Sequence, residues 1–386
     1  MIVRRLHKED LLDAARIRSI SFHGKLNEEE AAKGIEQTSE DKLYEHWGCF
    51  DADGSMMACI INNDFTVRFD GHLVKMGGIG GVATLPEYRY GGAVKETLRA
   101  ILKDAREHGE VFSSLYPFSH EFYRKAGYEM FSPIVEYQFP PASVKSYKHA
   151  GWTKRIKKGE DNSEMKRVYA AFAAKYNLML ERPDNRYRIG DPFGAEDFTM
   201  LLGDESGARA YLYYQTEHDG GNILHIRDIA FTDEEGFRMC LGYLGRMSAD
   251  YSKIRLSVPG DIPLMQLLPE SYDVTPRFRE QPMARLTNVE KALELMNKPA
   301  DADFTVKVTD DFLPENSGTY RVTADGAVRT EETADLEVSQ QALALLVLGA
   351  LSLEEAAYRT DVRINGKRDM LSRAFPRKPL YIADYF

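Results

Sequence analysis

The segment of this 386-residue chain best suited to hold an anion is Arg89-Tyr90-Gly91-Gly92-Ala93-Val94. It follows a strand-like run, Ile79 to Thr84, and leads into AVKETLRAILKDAREHG, where Val94, Leu98, Ile101, Leu102 and Ala105 share one helical stripe before Gly109. A helix starting there offers unpaired backbone N–H groups and the positive end of its dipole. Gly91 and Gly92 let a ligand approach the backbone, and Arg89 adds a full charge, a combination that suits a pyrophosphate. An isolated R-x-x-G is an ordinary glycine connection, so the surrounding elements decide. A competing hexad, Gly78-Ile79-Gly80-Gly81-Val82-Ala83, fits G-x-G-x-x-A but precedes a strand, and Pro86 intervenes before any helix. No G-x-x-x-x-G-K-[ST] loop occurs.

The elements around the turn form a mixed α+β and α/β pattern. Residues 3 to 6 read as a strand, followed by a helix with Leu11, Ala14, Ala15 and Arg18 at helical spacing. Asp53-Gly54 and Asp70-Gly71 mark two hairpins, the second joining 67–69 to 72–76, and Ile79 to Thr84 supplies a further strand. Val111 to Tyr116 is the strand after the long helix, and a short helix around Glu121 to Lys125 stops at Gly127. From about residue 146 the pattern changes. There Leu224 to Phe231, a turn, a helix through Leu241 and Leu244, and Ile254 to Val258 repeat the strand, turn, helix, strand order of 79 to 116. This copy carries Asp233, Glu234 and Glu235 in its turn, which repel an anion, so it is expected to be structural. A third region starts near Arg285, with Thr287 and Glu290 as a capping box, short extended runs, and helices at 339–350 and 352–358. The expected domains are 1–145, 146–284 and 285–386. The tail RKPLYIADYF is apolar to its last residue and is expected to dock.

Composition narrows the class. A net charge of -10 disfavours nucleic acid and favours cationic partners. KRIKK at 154–158 reads as a solvated linker. Cys49, Cys59 and Cys240 are an odd set at distant positions, which implies reduced thiols and a cytoplasmic location. The N-terminal residues lack the apolar stretch of a signal peptide, and the run Ala342 to Leu351 is shorter than the ~20 residues that span a bilayer. Cys59 lies in an apolar strand, as a small buried thiol does. The nine histidines form no H-E-x-x-H, so no metal is expected.

Strand, R-x-x-G turn, amphipathic helix, strand, then FYRKAGY resembles the GNAT superfamily of coenzyme A dependent N-acetyltransferases over residues 1 to 140. VATLPEYRYGGAVK, FSHEFYRKAGYE and the terminal DYF, along nearly the whole chain, resemble the Eis family of aminoglycoside and lysine acetyltransferases. The resemblance implies tandem GNAT folds, the second degenerate, followed by a sterol-carrier-like (SCP2-like) α+β domain, and a hexameric homo-oligomer. It implies acetyl-CoA contacts at Val82, Ala83 and Thr84, at Tyr90, Gly91, Gly92, Ala93, Val94 and Lys95, and at Phe118 and Ser119. The family's usual Gly or Ala at the last turn position is Val94 here, past the backbone donors.

Acetyl transfer to an amine expels a thiolate, and a nearby O–H that protonates it eases the step. Read alone, Tyr123 is a core aromatic beside Phe122 and Tyr128; the family motif makes it that acid. The same resemblance assigns the amine to the chain's own α-carboxylate, at Phe386. A carboxylate of pKa ~3.5 facing an ammonium of ~10 is a poor base by roughly nine kcal/mol. It therefore attracts and orients the ammonium and takes the proton after attack. Asp384 is a further source of negative potential, and the carboxylates within Asn27 to Glu30, on a loop after the first helix, either line the substrate mouth or form a solvated face. The reading is thus an acetyl-CoA dependent N-acetyltransferase for primary amines of cationic molecules: aminoglycoside, polyamine or lysine-like. The alternatives are a non-catalytic coenzyme A or lipid carrier and a longer-chain N-acyltransferase.

Overall fold

Turn chemistry and alternating apolar residues set the first sheet. The computed structural model describes residues 1–132, 134–148, 151–279 and 281–386. Its strands are β1 (Ile2–Arg5), β2 (His46–Phe50), β3 (Met56–Phe69), β4 (His72–Thr84), β5 (Glu110–Leu115) and β6 (Glu129–Met130). The helices between them are α1 (Leu11–Ser21), α2 (Glu28–Glu36), α3 (Glu40–Tyr44), α4 (Ala93–Glu107) and α5 (His120–Arg124). The sheet runs β1-β2-β3-β4-β5, then the strand Met283–Leu286, then β6. Asp70 and Gly71, at φ 48° and 89°, close the β3–β4 hairpin, and both conformations fit a two-residue turn of that hand. β5 lies parallel to β4, and the crossover helix α4 buries Leu98, Ile101, Leu102 and Ala105.

The sequence splits 72–76 from 79–84, whereas β4 is one strand throughout. The glycines that interrupt the pattern exist because there is no room for side chains. A Cβ at Gly77 would collide with Asn62 Oδ1 and Glu110 Oε2, and one at Gly78 with the Phe65 ring. Those two oxygens are buried without partners, while Asn62 Nδ2 donates to Glu110 Oε1 at 3.2 Å. Burial raises the Glu110 carboxyl to about 7, and a proton on Oε2 supplies the donor that Asn62 Oδ1 lacks.

The chain divides into two compact units. The first comprises Met1–Phe131, Pro282–Lys378 and Tyr385–Phe386; the second comprises Ser132–Gln281 and Pro379–Asp384. The first also contains a five-stranded sheet in the order 326–330, 318–323, 303–309, 336–339, 362–364, with the buried helix Gln340–Leu348. Arg285, fully buried on the strand inserted beside β5, pairs with Asp310 at 2.5 Å. Asn288, not Thr287, caps the helix Val289–Leu295; the Thr287 hydroxyl donates to the Glu110 carbonyl instead.

The second unit carries a seven-stranded sheet in which Asn222–Phe231 and Lys253–Ser257 are parallel, connected through the helix Glu234–Gly245. Lys154 to Ile156, expected in a solvated linker, lie on its edge strand Trp152–Ile156, paired with Asp197–Asp204. Within this unit Tyr381 packs on Phe172 and Tyr176, and Arg182 binds both Asp228 (2.6 Å) and Asp384 (3.0 Å). Among the described residues no helix is long and apolar enough to cross a membrane.

Candidate active site

Four features of the first unit meet around the end of β4. The first is the turn. Pro86–Tyr88 form one 3-10 turn, Arg89 is extended, Tyr90 and Gly92 take positive φ (66° and 86°), and α4 starts at Ala93. No side chain caps this helix, and a Cβ on Gly92 would meet nothing within 4 Å. The first N–H groups of α4 thus open onto free space. Arg89, Tyr90, Gly91 and Lys95 are exposed, Gly92 and Val94 half-buried, and Ala93 buried. Tyr88 braces the turn by donating its hydroxyl to Asp51 Oδ2 (3.1 Å), and Asp51 in turn accepts from the Ser55 N–H (2.9 Å).

The second feature is the parting of two strands. β4 and β5 pair only as far as Ile79 and Leu115. Beyond that point Gly80 to Thr84 pair with β3 alone, through a bulge at Gly81 (φ 56°) that sets two residues against Ile60. This leaves Val82, Ala83 and Thr84 on an open strand edge that runs into the turn. An extended arm can add there by main-chain hydrogen bonds, with a diphosphate at the helix start. Thr84 already exchanges hydrogen bonds with the Ser21 hydroxyl.

The third is an aromatic cluster on α5. Tyr123 is 2% exposed, ringed by Phe118 (5.3 Å), Phe122 (5.1 Å) and Tyr128 (6.1 Å). Burial, helped by Tyr128, pushes its hydroxyl well above the usual tyrosine range, and that hydroxyl has no hydrogen-bond partner among the described residues. It therefore keeps its proton at neutral pH and has it free to donate. Ser119 accepts from the Phe122 N–H (3.3 Å) and so caps α5, while Phe118 is 72% exposed.

The fourth is the end of the chain. The Phe386 ring packs on Phe65 (4.9 Å) and Tyr116 (5.4 Å), and its carboxyl carbon lies 3.5 Å from where a Cβ of Gly80 would stand. Gly80 and Tyr116 are the residues just past the last β4–β5 pair, so Phe386 sits where the strands part.

Two expectations are corrected. Asp384 is buried and held by Arg182, so its charge is compensated within the second unit. Asn27 to Glu30 are not a loop: Asn27 caps α2, accepting from the Glu29 and Glu30 N–H groups, and Glu28 pairs with Arg16 (2.8 Å). Sequence reasoning places Arg18 on the helical stripe of α1 but gives it no role; it lies against Gly81. Its signal was an arginine among Leu11, Ala14 and Ala15. The bulge and the Asp51–Tyr88 brace had none, because both depend on register.

The profile described as "Acetyltransferase (GNAT) domain" matches residues 2–131, a second with that description matches 178–286, and "Sterol carrier protein domain" matches 289–383. An uncharacterized N-acetyltransferase of Streptomyces avermitilis is 38% identical over 81 residues, a stretch covering 20% of each chain. The chain thus spans about a fifth of that relative's length. Another, from Streptomyces coelicolor, is 23% identical over 344 residues and 82% of each chain. Eis1 from Mycobacterium abscessus superposes with a TM-score of 0.83 at 19% identity, over 100% of both chains.

Proposed function

This chain belongs to the GNAT acetyltransferases, with two such domains and a sterol carrier protein domain in the fold of Eis1, and from that premise we propose that it acetylates primary amines directly. Acetyl-CoA supplies the acetyl group as a thioester. The single observation that carries the reading is the uncapped start of α4 at the end of an open strand edge. Arg89 and the backbone from Tyr90 to Lys95 would hold the diphosphate, and Val82, Ala83 and Thr84 the extended arm, with Phe118 and Ser119 beside it. Tyr123 holds a proton for the leaving sulfur. The carboxylate of Phe386 draws an ammonium to the parting strands and accepts its proton after attack. The neighbouring rings of Phe65 and Tyr116 add cation–π attraction.

The acceptor belongs to the cationic amines: aminoglycoside, polyamine or lysine-like. The working form is a cytoplasmic homo-oligomer, a hexamer by the resemblance, which sedimentation measures directly. Release of coenzyme A thiol against an amine panel tests the reaction. Turnover with at least one amine, lost in Tyr123→Phe and on adding one glycine after Phe386, supports it. Inactivity toward every amine rejects it.

A further inference from the structure

Arg18 makes no ion pair among the described residues. It is half-buried on α1, and its Cδ lies 3.2 Å from where a Cβ of the bulge residue Gly81 would be. Among the described residues no carboxylate lies within 4.0 Å of its guanidinium, whose polar contact is Nη1 to Cys59 Sγ at 4.0 Å. Cys59 and His46, the two titratable groups that its charge perturbs, are themselves neutral at pH 7. Burial raises the Cys59 thiol to about 11, and burial together with Arg18 and Lys42 lowers His46 to about 4. Nδ1 of that histidine is itself buried without a partner. A thiol is a weak acceptor, and a guanidinium held out of water commonly has a carboxylate or phosphate across from it.

The opposite charge stands one residue along the same strand. Gly80 faces the carboxyl carbon of Phe386, and Gly81 faces Arg18. Cys59, Ile61, Asn63 and Phe65 alternate onto one side of β3. Cys59 bonds α1 at the Ala14 carbonyl, and Phe65 packs on Phe386, so α1 and the chain end share that side of the sheet. Two bare glycines therefore lie between a cation and an anion, and neither charge has an ion partner among the described residues.

We propose that Arg18 is a specificity residue that binds a carboxylate carried by the acceptor, so that the preferred substrate is an amine and an acid at once, an amino acid or short peptide. This rests on the acetyl-transfer reading and narrows it to the lysine-like class: the ammonium goes to Phe386 and the carboxylate to Arg18. A peptide α-amine, with pKa ~8 against ~10.4 for a lysine side chain, also shortens the deprotonation that a terminal carboxylate performs poorly.

The test compares matched acceptors that differ only in that carboxylate: free lysine against lysine amide, and a dipeptide against its C-terminal amide. The expected result is a kcat/KM at least about tenfold higher for the acid in the wild type, and a ratio near one in Arg18→Gln. Coenzyme A affinity and melting temperature, measured on the same variant, report its folding. Equal kcat/KM for acid and amide in the wild type, or an unchanged ratio in Arg18→Gln, overturns the inference. If no amine turns over, the acetyl-transfer reading fails separately. Calorimetry of lysine into the coenzyme A complex then decides: binding lost in Arg18→Gln keeps the carboxylate site, and no binding to the wild type removes it.

Discussion

The helices Ala93–Glu107 and Glu234–Gly245 each follow a long strand and lead to a parallel one, yet they begin in opposite ways. At the first, Gly92 offers no side chain, and the space where one would stand is open. At the second, Asp233 Oδ1 accepts from the Gly236 N–H (2.9 Å) and Oδ2 from Arg209 (2.7 Å). Burial would raise the Asp233 carboxyl, but that N–H and Arg209 outweigh it and hold it below its usual range. A Cβ on Gly236 would stand 2.6 Å from the Arg209 carbonyl, so this start is also crowded. One helix satisfies a donor with its own carboxylate, and the other leaves its first donors uncapped. The lesson is that one topology can leave its helix start open to an anion or close it with a side chain. The short helices that follow differ likewise: His120–Arg124 presents Tyr123, and Leu264–Leu267 holds only Leu, Met and Gln.

The largest expected effect breaks the chemistry while leaving the open helix start intact. Tyr123→Phe should lower kcat by about 10²–10³-fold with coenzyme A affinity unchanged, since it removes only the O–H. Because burial raises that hydroxyl, the wild type should keep its activity to pH 9 without a loss from this group. Next, Gly92→Asp imports the plug of the second helix and should weaken coenzyme A binding about 100-fold, near 2.7 kcal/mol. Gly92→Asn imposes the same strain at positive φ without charge and should cost about tenfold or less.

A pH experiment sharpens the contrast further. β5 begins with buried Glu110, whereas the parallel strand of the second unit begins with exposed Lys253. Glu110 has a folded pKa raised to about 7, so the folded chain holds its proton longer than the unfolded one. Its stabilising share is full below about pH 4 and is lost as pH rises through about 7. Glu110→Gln keeps the donor toward Asn62 and should therefore gain up to about 3 kcal/mol over the wild type at pH 8 and little at pH 4, read by thermal unfolding. Smallest of all, Asp233→Ala should cost about 1 kcal/mol of stability through the lost cap and leave coenzyme A affinity unaltered.

Much of this was legible in the sequence because it rests on local rules. Gly91-Gly92 before an amphipathic stripe marks the helix start, and Asp233-Glu234-Glu235 marks its blocked counterpart. What stayed hidden depends on pairing between distant segments. The glycines of β4 look like a break until Asn62, Phe65 and Glu110 are set against them. Met283–Leu286 carries too few residues to announce that it enters a sheet beside β5. KRIKK reads as solvated, yet in its strand Thr153 and Arg155 are half-buried and Ile156 is buried. Asp384 reads in the sequence as a source of negative potential, yet Arg182, about two hundred residues earlier, pairs with it.

Calorimetric titration of coenzyme A into the wild type, Gly92→Asp and Asp233→Ala tests the central claim most directly. One molecule per chain in the wild type, with affinity unchanged in Asp233→Ala and about 100-fold weaker in Gly92→Asp, is the predicted result. Wild-type affinity retained in Gly92→Asp, or binding that disappears with Asp233→Ala while the chain stays folded, would contradict it.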